Sequence, residues 1–244
     1  MKYYYDLHIH SALSPCGDED MTPNNIVNMS LLNGLDIIAL SDHNTCKNVR
    51  AVSEVARRAG ILFIPAMELE TAEEIHVLCL FPSVDAAELF EREIVSPALP
   101  DIANNESIFG RQQILDENDN ETGTDGRYLI NATSLTIDSV GVLAARYGAA
   151  AVPAHIDKQT KSLLSVLGMA DRSMGYNVFE LSPNAPDNFS ETHFSLKGMG
   201  YRYLYNSDAH YLADIAERGG KNFFELDCPH PRAEDVIGFI KNNY

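Results

Sequence analysis

The stretch LDIIALSDHN, residues 35–44, decides the fold class of this chain. Its apolar run from Leu35 to Leu40 predicts a β-strand, and three polar residues, Ser41, Asp42 and His43, follow that strand directly. In folds built on parallel strands, functional side chains gather where the strands end. The stretch therefore predicts both a strand and a candidate functional position at its end.

Helical patterns flank this strand on both sides. Before it, Thr22 and Pro23 are the residue types of an N-cap and a first helical position. After it, residues 49–59 predict a second helix, and residues 61–65 predict a third strand that leads to Glu68. Repeated strand–helix units predict parallel strands joined by crossover helices.

The remaining chain continues this pattern with one interruption. At 244 residues it is predicted to be a single domain, residues 1–244. Residues 84–147 lack the pattern and predict a mainly helical insert, which either covers one mouth of a barrel as a lid or only fills space. The other predicted strands are residues 3–7, 76–81, 149–154, 177–181, 201–206 and 222–226, and a C-terminal helix covers 232–243.

Six of the eight histidines stand in short clusters with carboxylates. His8 and His10 alternate along an extended segment and therefore point to the same side, and Asp208 and His210 repeat this spacing. Imidazole and carboxylate ligands together suit Zn, Mn or Fe, and one tetrahedral ion uses only four ligands. The clusters predict a multinuclear hydrolytic metal centre, and they read DLHIH (6–10), SDH (41–43), IH (75–76), AHID (154–157) and SDAH (207–210).

The carboxylates of this set have different predicted roles. Glu68 follows an apolar strand and can bridge two ions through its two oxygens. A turn at residues 71–74 would bring His76 beside it. Asp42 points away from the side of His43 and is predicted to hold ligands in place, whereas Asp6 has either that role or faces solvent. Two histidines lie outside the pattern and are predicted to be surface or structural residues: His193 and His230.

Charge and composition narrow the possible partners. The formal net charge is −17, which predicts that long nucleic acid is not a partner and favours a small phosphorylated substrate at a local cationic centre. The four cysteines have no CxxC spacing and are predicted to be free thiols in a reducing compartment. No signal-peptide or membrane-spanning run is present, so we expect a cytoplasmic protein with no membrane partner. The oligomeric state stays open.

As a set, these motifs resemble the PHP (polymerase and histidinol phosphatase) family, because they come in that family's order over most of the chain. The resemblance implies a distorted (β/α)7 barrel, an α/β fold, with two to three divalent ions, Zn, Mn or Fe. It also implies a metal-dependent phosphoric ester hydrolase. The segments that carry it are DLHIHS (6–11), ALSDHN (39–44), Glu68, IHVL (75–78), His155 and SDAH (207–210).

The resemblance also implies how the ligands divide among the ions. One ion would be held by His8, His10, Glu68 and Asp208, a second by Glu68, His76 and His155, and a third by His43, His210 and an early acid. The early loop, residues 14–20, looks longer than the family pattern. Asp18 is the predicted early acid, with Asp20 and Cys16 as alternatives. Glu68, Asp208 and His210 are the predicted catalytic residues.

Such a centre predicts phosphoester hydrolysis. Ions about 3.5–4 Å apart polarise a phosphoryl oxygen and make hydroxide from bound water. We expect a nucleotide mono- or bisphosphate or a short oligonucleotide as substrate, with histidinol-phosphate phosphatase and a non-catalytic metal-binding module as alternatives. Three cationic residues are predicted, by location, to bind the substrate phosphate: Arg111, Lys158 and Arg218.

Overall fold

Ten strands organise the described part of the chain, residues 1–242 of a computed structural model. All eight predicted strands are present, with boundaries shifted by a few residues. In chain order they are β1 (Lys2–Asp6), β2 (Ile37–Leu40), β3 (Leu62–Glu70), β4 (His76–Leu80), β5 (Gln113–Leu115), β6 (Glu121–Thr124), β7 (Ala150–Pro153), β8 (Val178–Leu181), β9 (Arg202–Tyr205) and β10 (Phe223–Glu225).

Six of these strands form one curled mixed sheet in the order β10-β1-β2-β3-β4-β7. Strands β1, β2 and β3 are parallel to one another, and β4 is antiparallel to both β3 and β7. Strand β7 therefore points the same way as β3. Strands β8 and β9 form a separate parallel pair. The fold is mixed α/β. Two strands of the sheet depart from the parallel order: β4, because a tight turn joins it to β3, and β10, which is antiparallel to β1.

Backbone contacts bring the separate pair against both ends of the larger sheet. The N–H of Ile156, just after β7, donates to the carbonyl oxygen of Glu180 in β8 at 2.9 Å. After β9, the N–H of His10 donates to the carbonyl oxygen of Ala209 at 2.9 Å. The curled sheet and the β8–β9 pair therefore face a common interior, and β10 pairs with β1.

Nine α-helices lie in the described residues, and their caps follow the sequence. The Thr22 side chain accepts a hydrogen bond from the Asn25 N–H, and Gly60 ends the second helix with φ +76°, as predicted. None of the described helices is long and apolar enough to cross a bilayer. They are α1 (Pro23–Leu32), α2 (Val49–Ala59), α3 (Val84–Phe90), α4 (Ser96–Ala98), α5 (Glu106–Phe109), α6 (Ile137–Ala145), α7 (Leu163–Leu167), α8 (Phe189–Thr192) and α9 (Ala233–Asn242).

The segment 84–147 differs from the mainly helical insert that its sequence predicted. It contains α3 to α6 and a π-helical turn, Glu91–Val95, but also the β5–β6 hairpin. The Asp116 carboxylate accepts hydrogen bonds from the N–H groups of Asn118 and Asn120 and so closes the hairpin turn. The polar run at 116–120 is therefore a hairpin connection.

The core has two layers because alternate residues of each strand point to opposite faces. One apolar cluster fills the interior that the strands surround, and α9 closes it with Val236, Ile237 and Ile240. Arg202, the first residue of β9, donates to the carbonyl oxygen of Phe239 at 3.3 Å, which places α9 at the amino ends of the parallel strands. The opposite ends of those strands are left for polar groups.

Candidate metal centre

The clustered histidines and two of the carboxylates meet at the carboxyl ends of the parallel strands. His76 belongs to this group because β4 runs in the opposite direction and therefore begins where β3 ends. The residues that meet there are His8 and His10 after β1, His43 after β2, Glu68 in β3, His76 in β4, His155 after β7, and Asp208 and His210 after β9.

Glu68 lies in the middle of this group and is 1% exposed. Its Oε1 is 2.8 Å from His76 Nδ1, so the predicted turn that joins these two residues is confirmed. The same oxygen is 3.2 Å from a ring nitrogen of His8 and of His155. Its second oxygen, Oε2, is 3.1 Å from His43 Nδ1 and 3.3 Å from His10 Nε2.

Three overlapping sets of side chains could each hold a metal ion. Within each set, one possible ligand atom from every residue lies within 4.8 Å of the others. Glu68 is common to two sets, and so are His10 and His43. The sets are His8, His10, Glu68 and Asp208; His43, Glu68 and His76; and His10, His43 and His210.

The buried polar atoms of this group fit a cation. His8 Nε2, His43 Nδ1, His76 Nδ1 and Glu68 Oε2 are all buried, and none of their contacts of 2.8–3.3 Å within the group has the geometry of a hydrogen bond. An unpaired buried polar atom costs about 1–3 kcal/mol. Because these atoms face one another around Glu68, divalent ions between them would satisfy several at once. The donor set of imidazoles and carboxylates is one that Zn, Mn and Fe accept.

Glu180 in β8 orients His8 from behind. Both carboxylate oxygens lie within hydrogen-bond distance of His8 Nδ1, at 2.9 and 3.0 Å, which leaves Nε2 facing the group. Glu180 also accepts from the His155 N–H at 2.8 Å and from Asn206 Nδ2 at 2.6 Å. A carboxylate that bonds to the outer nitrogen of a ligand histidine fixes the ring and raises its basicity.

His10 is held by a chain of two polar residues. Its Nδ1 lies 2.9 Å from Ser14 Oγ, which donates to Asp42 Oδ1 at 2.7 Å. Asp42 also accepts from the N–H and hydroxyl of Ser11 at 2.7 and 2.6 Å. Asp42 thus supports the loop that carries His10, the indirect role its sequence position predicted. Asp6 is fully buried and does not face solvent.

His76 has a similar support on its outer nitrogen. Its Nε2 is 3.3 Å from Glu70 Oε2, and Glu70 Oε1 accepts from Lys161 Nζ at 2.5 Å. Sequence reasoning missed Glu70, Ser14 and Glu180. Of these three residues, only Glu180 could have been found from the sequence. It is a charged residue inside the apolar run Val178–Leu181, and such a residue is rarely buried unless it is paired.

Two proposed ligands have left-handed backbone conformations. His155 has φ 30° and Asp208 has φ 56°, which non-glycine residues rarely adopt. Such strain costs about 1–3 kcal/mol and is concentrated at functional sites. The strain therefore agrees with a functional role for the loops after β7 and β9.

The electrostatics of the metal-free group favour ionised carboxylates. Burial alone would raise the pKa of Glu68, but the neighbouring His76, His8 and His43 hold it well below its usual range. Burial also opposes ionisation of Asp208, yet His8 and His10 lower its pKa. Burial lowers the pKa of His210 to about 4, so this imidazole is neutral at pH 7. Glu68 and Asp208 are therefore ionised at pH 7, and the His210 imidazole at the edge of the group is neutral.

The predicted early acid does not join the group. The Asp18 N–H donates to the His210 carbonyl oxygen at 2.9 Å, but the Asp18 carboxylate accepts from the Asp20 N–H. None of the three sets found in residues 1–242 contains Asp18, Asp20 or Cys16. The Asp18 carboxylate bonds within its own loop, and the third set uses His10 beside His43 and His210.

The three predicted phosphate-binding cations lie in different places. Lys158 contacts Asp208 Oδ2 at the mouth of the group. Arg111 pairs with the exposed Glu121 at 2.5 Å in the insert. Arg218 lies over the Tyr4 ring at 4.5 Å and 4.0 Å from Asp36, near the amino end of β2. Arg218 is therefore at the opposite end of the strands from the histidines.

The remaining histidines lie away from the group. His193 stacks on Phe194 with ring centroids 5.0 Å apart, and His230 is exposed. Neither belongs to a set of possible metal ligands in the described chain.

Comparison with known proteins identifies related sequences. The PHP domain family model matches residues 6–214. A 5′-3′ exoribonuclease of Haemophilus influenzae is 33% identical over 79 residues, which are 31% of this chain and 28% of that protein. An uncharacterized protein of Methanocaldococcus jannaschii is 34% identical over 97 residues, 40% of this chain and 12% of that protein. The matches thus span a minor part of both relatives.

Solved structures share the fold. The lesion-specific endonuclease Q of Pyrococcus furiosus superposes with a TM-score of 0.66 at 21% identity, covering 100% of this chain and 57% of that chain. A protein of Bifidobacterium adolescentis, described as a candidate metal-dependent phosphoesterase, gives a TM-score of 0.61 at 18% identity, with 96% and 95% of the two chains covered. This chain therefore spans little more than half of endonuclease Q.

The prediction that net charge excludes long nucleic acid is wrong. Endonuclease Q, which has this fold, is known in complex with a 27-mer duplex that places an abasic lesion at its active site. The charge of the whole chain, −17, averages over a surface that a duplex need not touch. Bound divalent ions are the largest local charges in such a site, so the field at the mouth can have the opposite sign.

Proposed function

This chain belongs to the PHP domain family, and from that premise we propose that it hydrolyses phosphoric esters of nucleotides or of nucleic-acid strands. Family membership makes it a metal-dependent hydrolase. The substrate class is supported by two of the compared proteins, an exoribonuclease and an endonuclease, whose names specify nucleic acid. A nucleotide or a short oligonucleotide carries the same phosphoester bond.

The observation that carries this proposal is the shared carboxylate of Glu68 with unpaired buried nitrogens on both of its sides. One carboxylate between several imidazoles suits adjacent cations, because each oxygen can serve a different ion. We assign two to three divalent ions to the group. The residues that would hold them are His8, His10, His43, Glu68, His76, His155, Asp208 and His210.

The chemistry such ions supply when bound is polarisation of a phosphoryl oxygen and a lower pKa for a coordinated water. The chain itself contributes binding and orientation. Lys158 is 41% exposed at its side chain and lies at the mouth beside Asp208, where its ammonium can contact a non-bridging phosphate oxygen. Of the three cations predicted for this role, Lys158 is the one we retain.

The insert, residues 84–147, lies next to the metal centre and could cover its mouth. Asn44, next to His43, donates to the carbonyl oxygens of Leu129 and Asn131 at 2.7 and 3.0 Å. Leu13 in the early loop packs against Leu99 and Leu129. We propose that residues 84–147 act as a lid within one domain. We also propose that β1 to β4 and β7 to β9 act as the seven strands of a distorted barrel.

The experiment that tests this function combines metal analysis with a substrate panel. The purified chain is analysed for Zn, Mn and Fe. Phosphate release is followed with AMP and a nucleoside 3′,5′-bisphosphate, and strand cleavage is followed by gel electrophoresis with a 5′-phosphorylated oligonucleotide and an abasic duplex. We expect two to three ions per chain and turnover of at least one substrate. Bound metal without turnover across the panel would contradict the proposal.

Matched variants separate the metal centre from the rest of the chain. His10→Ala removes a histidine common to two sets and should abolish turnover and lower the metal content. His230→Ala removes an exposed histidine outside the sets and should change neither. Equal metal content in the two variants would show that His10 is not a ligand.

A further inference from the structure

A second cavity adjoins the mouth of the metal centre. Its volume is about 450 Å³, and it lies between the ends of β8 and β9 and the loop of residues 213–222. It shares Pro183, Ser207 and Asp214 with a cavity of about 670 Å³ that contains Lys158 and Asp208. The two cavities therefore form one groove that runs away from the centre, and we call its far part the side pocket.

The walls of the side pocket suit a flat, partly apolar group. Tyr205 contributes an aromatic ring, and Ala185, Ala213 and Ile215 contribute apolar surface. Lys221 Nζ lies 5.1 Å from the centre of the Tyr205 ring. Ligand pockets of this volume, mostly apolar with a few fixed polar groups, enclose molecules of nucleoside size.

An unpaired acceptor lies in the pocket wall. Asn222 is 5% exposed, and its Nδ2 donates to the carbonyl oxygens of Tyr5 at 2.9 Å and of Glu217 at 3.3 Å. These two bonds fix the orientation of the amide. Its Oδ1 is buried and has no hydrogen-bond partner. A ligand N–H or O–H donor would satisfy this oxygen after a local shift of the pocket wall, because the oxygen itself has almost no exposed surface.

The charge of the side pocket selects against a second phosphate. Asp187, Asp214 and Glu217 line it, whereas Lys221 is the one basic residue among its lining residues in the described chain. Lys221 is also paired with Asp187 at 2.5 Å. An anionic group would meet uncompensated carboxylates there, whereas sugar hydroxyls and base amino groups can donate to them.

We propose that the side pocket binds the neutral nucleoside part of a nucleotide whose phosphate is bound at the metal centre. This inference depends on the proposed function and deepens it. A nucleoside monophosphate fits with its base against Tyr205 and a donor toward Asn222 Oδ1. A nucleoside bisphosphate would place its second phosphate among the carboxylates and bind more weakly.

The test places a bulky side chain at the edge of the side pocket. Ala213 is exposed and lines the side pocket, so Ala213→Phe adds bulk there without disturbing the core. Ala145 is another exposed alanine and lines a separate cavity on α6, so Ala145→Phe is the matched control. Kinetics are measured on the metal-loaded full chain with AMP, CMP and glycerol phosphate, and adenosine binding is measured by calorimetry.

In Ala213→Phe we expect KM for AMP and CMP to rise at least about tenfold, which is the lower end of the discrimination that a change in the size of an apolar pocket produces. Turnover of glycerol phosphate should stay unchanged, and adenosine binding should weaken by a similar factor. Ala145→Phe should match the wild type throughout. Unchanged nucleotide KM and adenosine affinity in Ala213→Phe would overturn the proposal. If the wild type hydrolyses no phosphoester, the proposed function fails, whereas adenosine binding still decides whether the pocket is a nucleoside site.

Discussion

Replacing Glu180 with glutamine tests whether a carboxylate behind the metal ligands holds the centre in place. The two Glu180 oxygens bond to His8 Nδ1 at 2.9 and 3.0 Å, to the His155 N–H at 2.8 Å and to Asn206 Nδ2 at 2.6 Å. Glutamine has nearly the same shape but only one acceptor oxygen. In Glu180→Gln, at least one of these donors therefore faces an amide NH₂ group.

The expected loss is mainly in metal affinity. Removing an outer partner of a ligand histidine typically costs about 10–100-fold in metal affinity. This corresponds to about 1.4–2.8 kcal/mol of binding free energy. The metal-free chain should also lose about 1–3 kcal/mol of unfolding free energy, because a buried donor loses its acceptor. His8 keeps its position just after β1, so we expect weaker binding and no change of fold.

The measurement is a metal titration against a chelator of known affinity, with circular dichroism to check the fold. Asp157→Asn is the matched control, because it makes the same change from carboxylate to amide in the loop after β7. The Asp157 carboxylate accepts from Ser182 N and Oγ at 2.8 and 2.5 Å. Metal affinity of folded Glu180→Gln within about threefold of the wild type, below the 10-fold minimum, would refute the reasoning.

Two further predictions concern pH and Arg218. Burial opposes protonation of His8 and His76, but Glu180 and Glu68 raise the pKa of His8, and Glu68 and Glu70 raise that of His76 to about 9. These histidines stabilise the metal-free fold fully below the unfolded value of about 6.5, and the His76 contribution is lost as pH rises through about 9. The Tm of chelator-treated protein should therefore fall across that window while metal affinity rises, because protons compete with metal; a flat Tm profile would contradict this. Arg218→Ala should leave the KM for phosphoesters unchanged and lower the free energy of unfolding by at most about 1 kcal/mol, because only exposed contacts are lost. A higher KM in this variant would show that Arg218 contributes to substrate binding.

Most of the proposed ligand set follows from local sequence pattern. Alternation along an extended chain puts His8 with His10 and Asp208 with His210, because side chains two residues apart share a face. His43 and His155 follow apolar runs, so their positions at strand ends were predictable. The short turn after β3 made the proximity of His76 and Glu68 predictable as well. In each case, the deciding geometry lies within a few consecutive residues.

Tertiary structure alone decided which residues support the ligands and which stay apart. Glu180 meets His8 across 172 positions of sequence, and Arg218 lies at the far end of the strands despite its closeness in sequence to His210. The turn of the early loop keeps the Asp18 carboxylate out of the group. Sequence periodicity records which face a residue presents and where a strand ends. It does not record which strands become neighbours or in what register, and those contacts depend on packing over the whole chain.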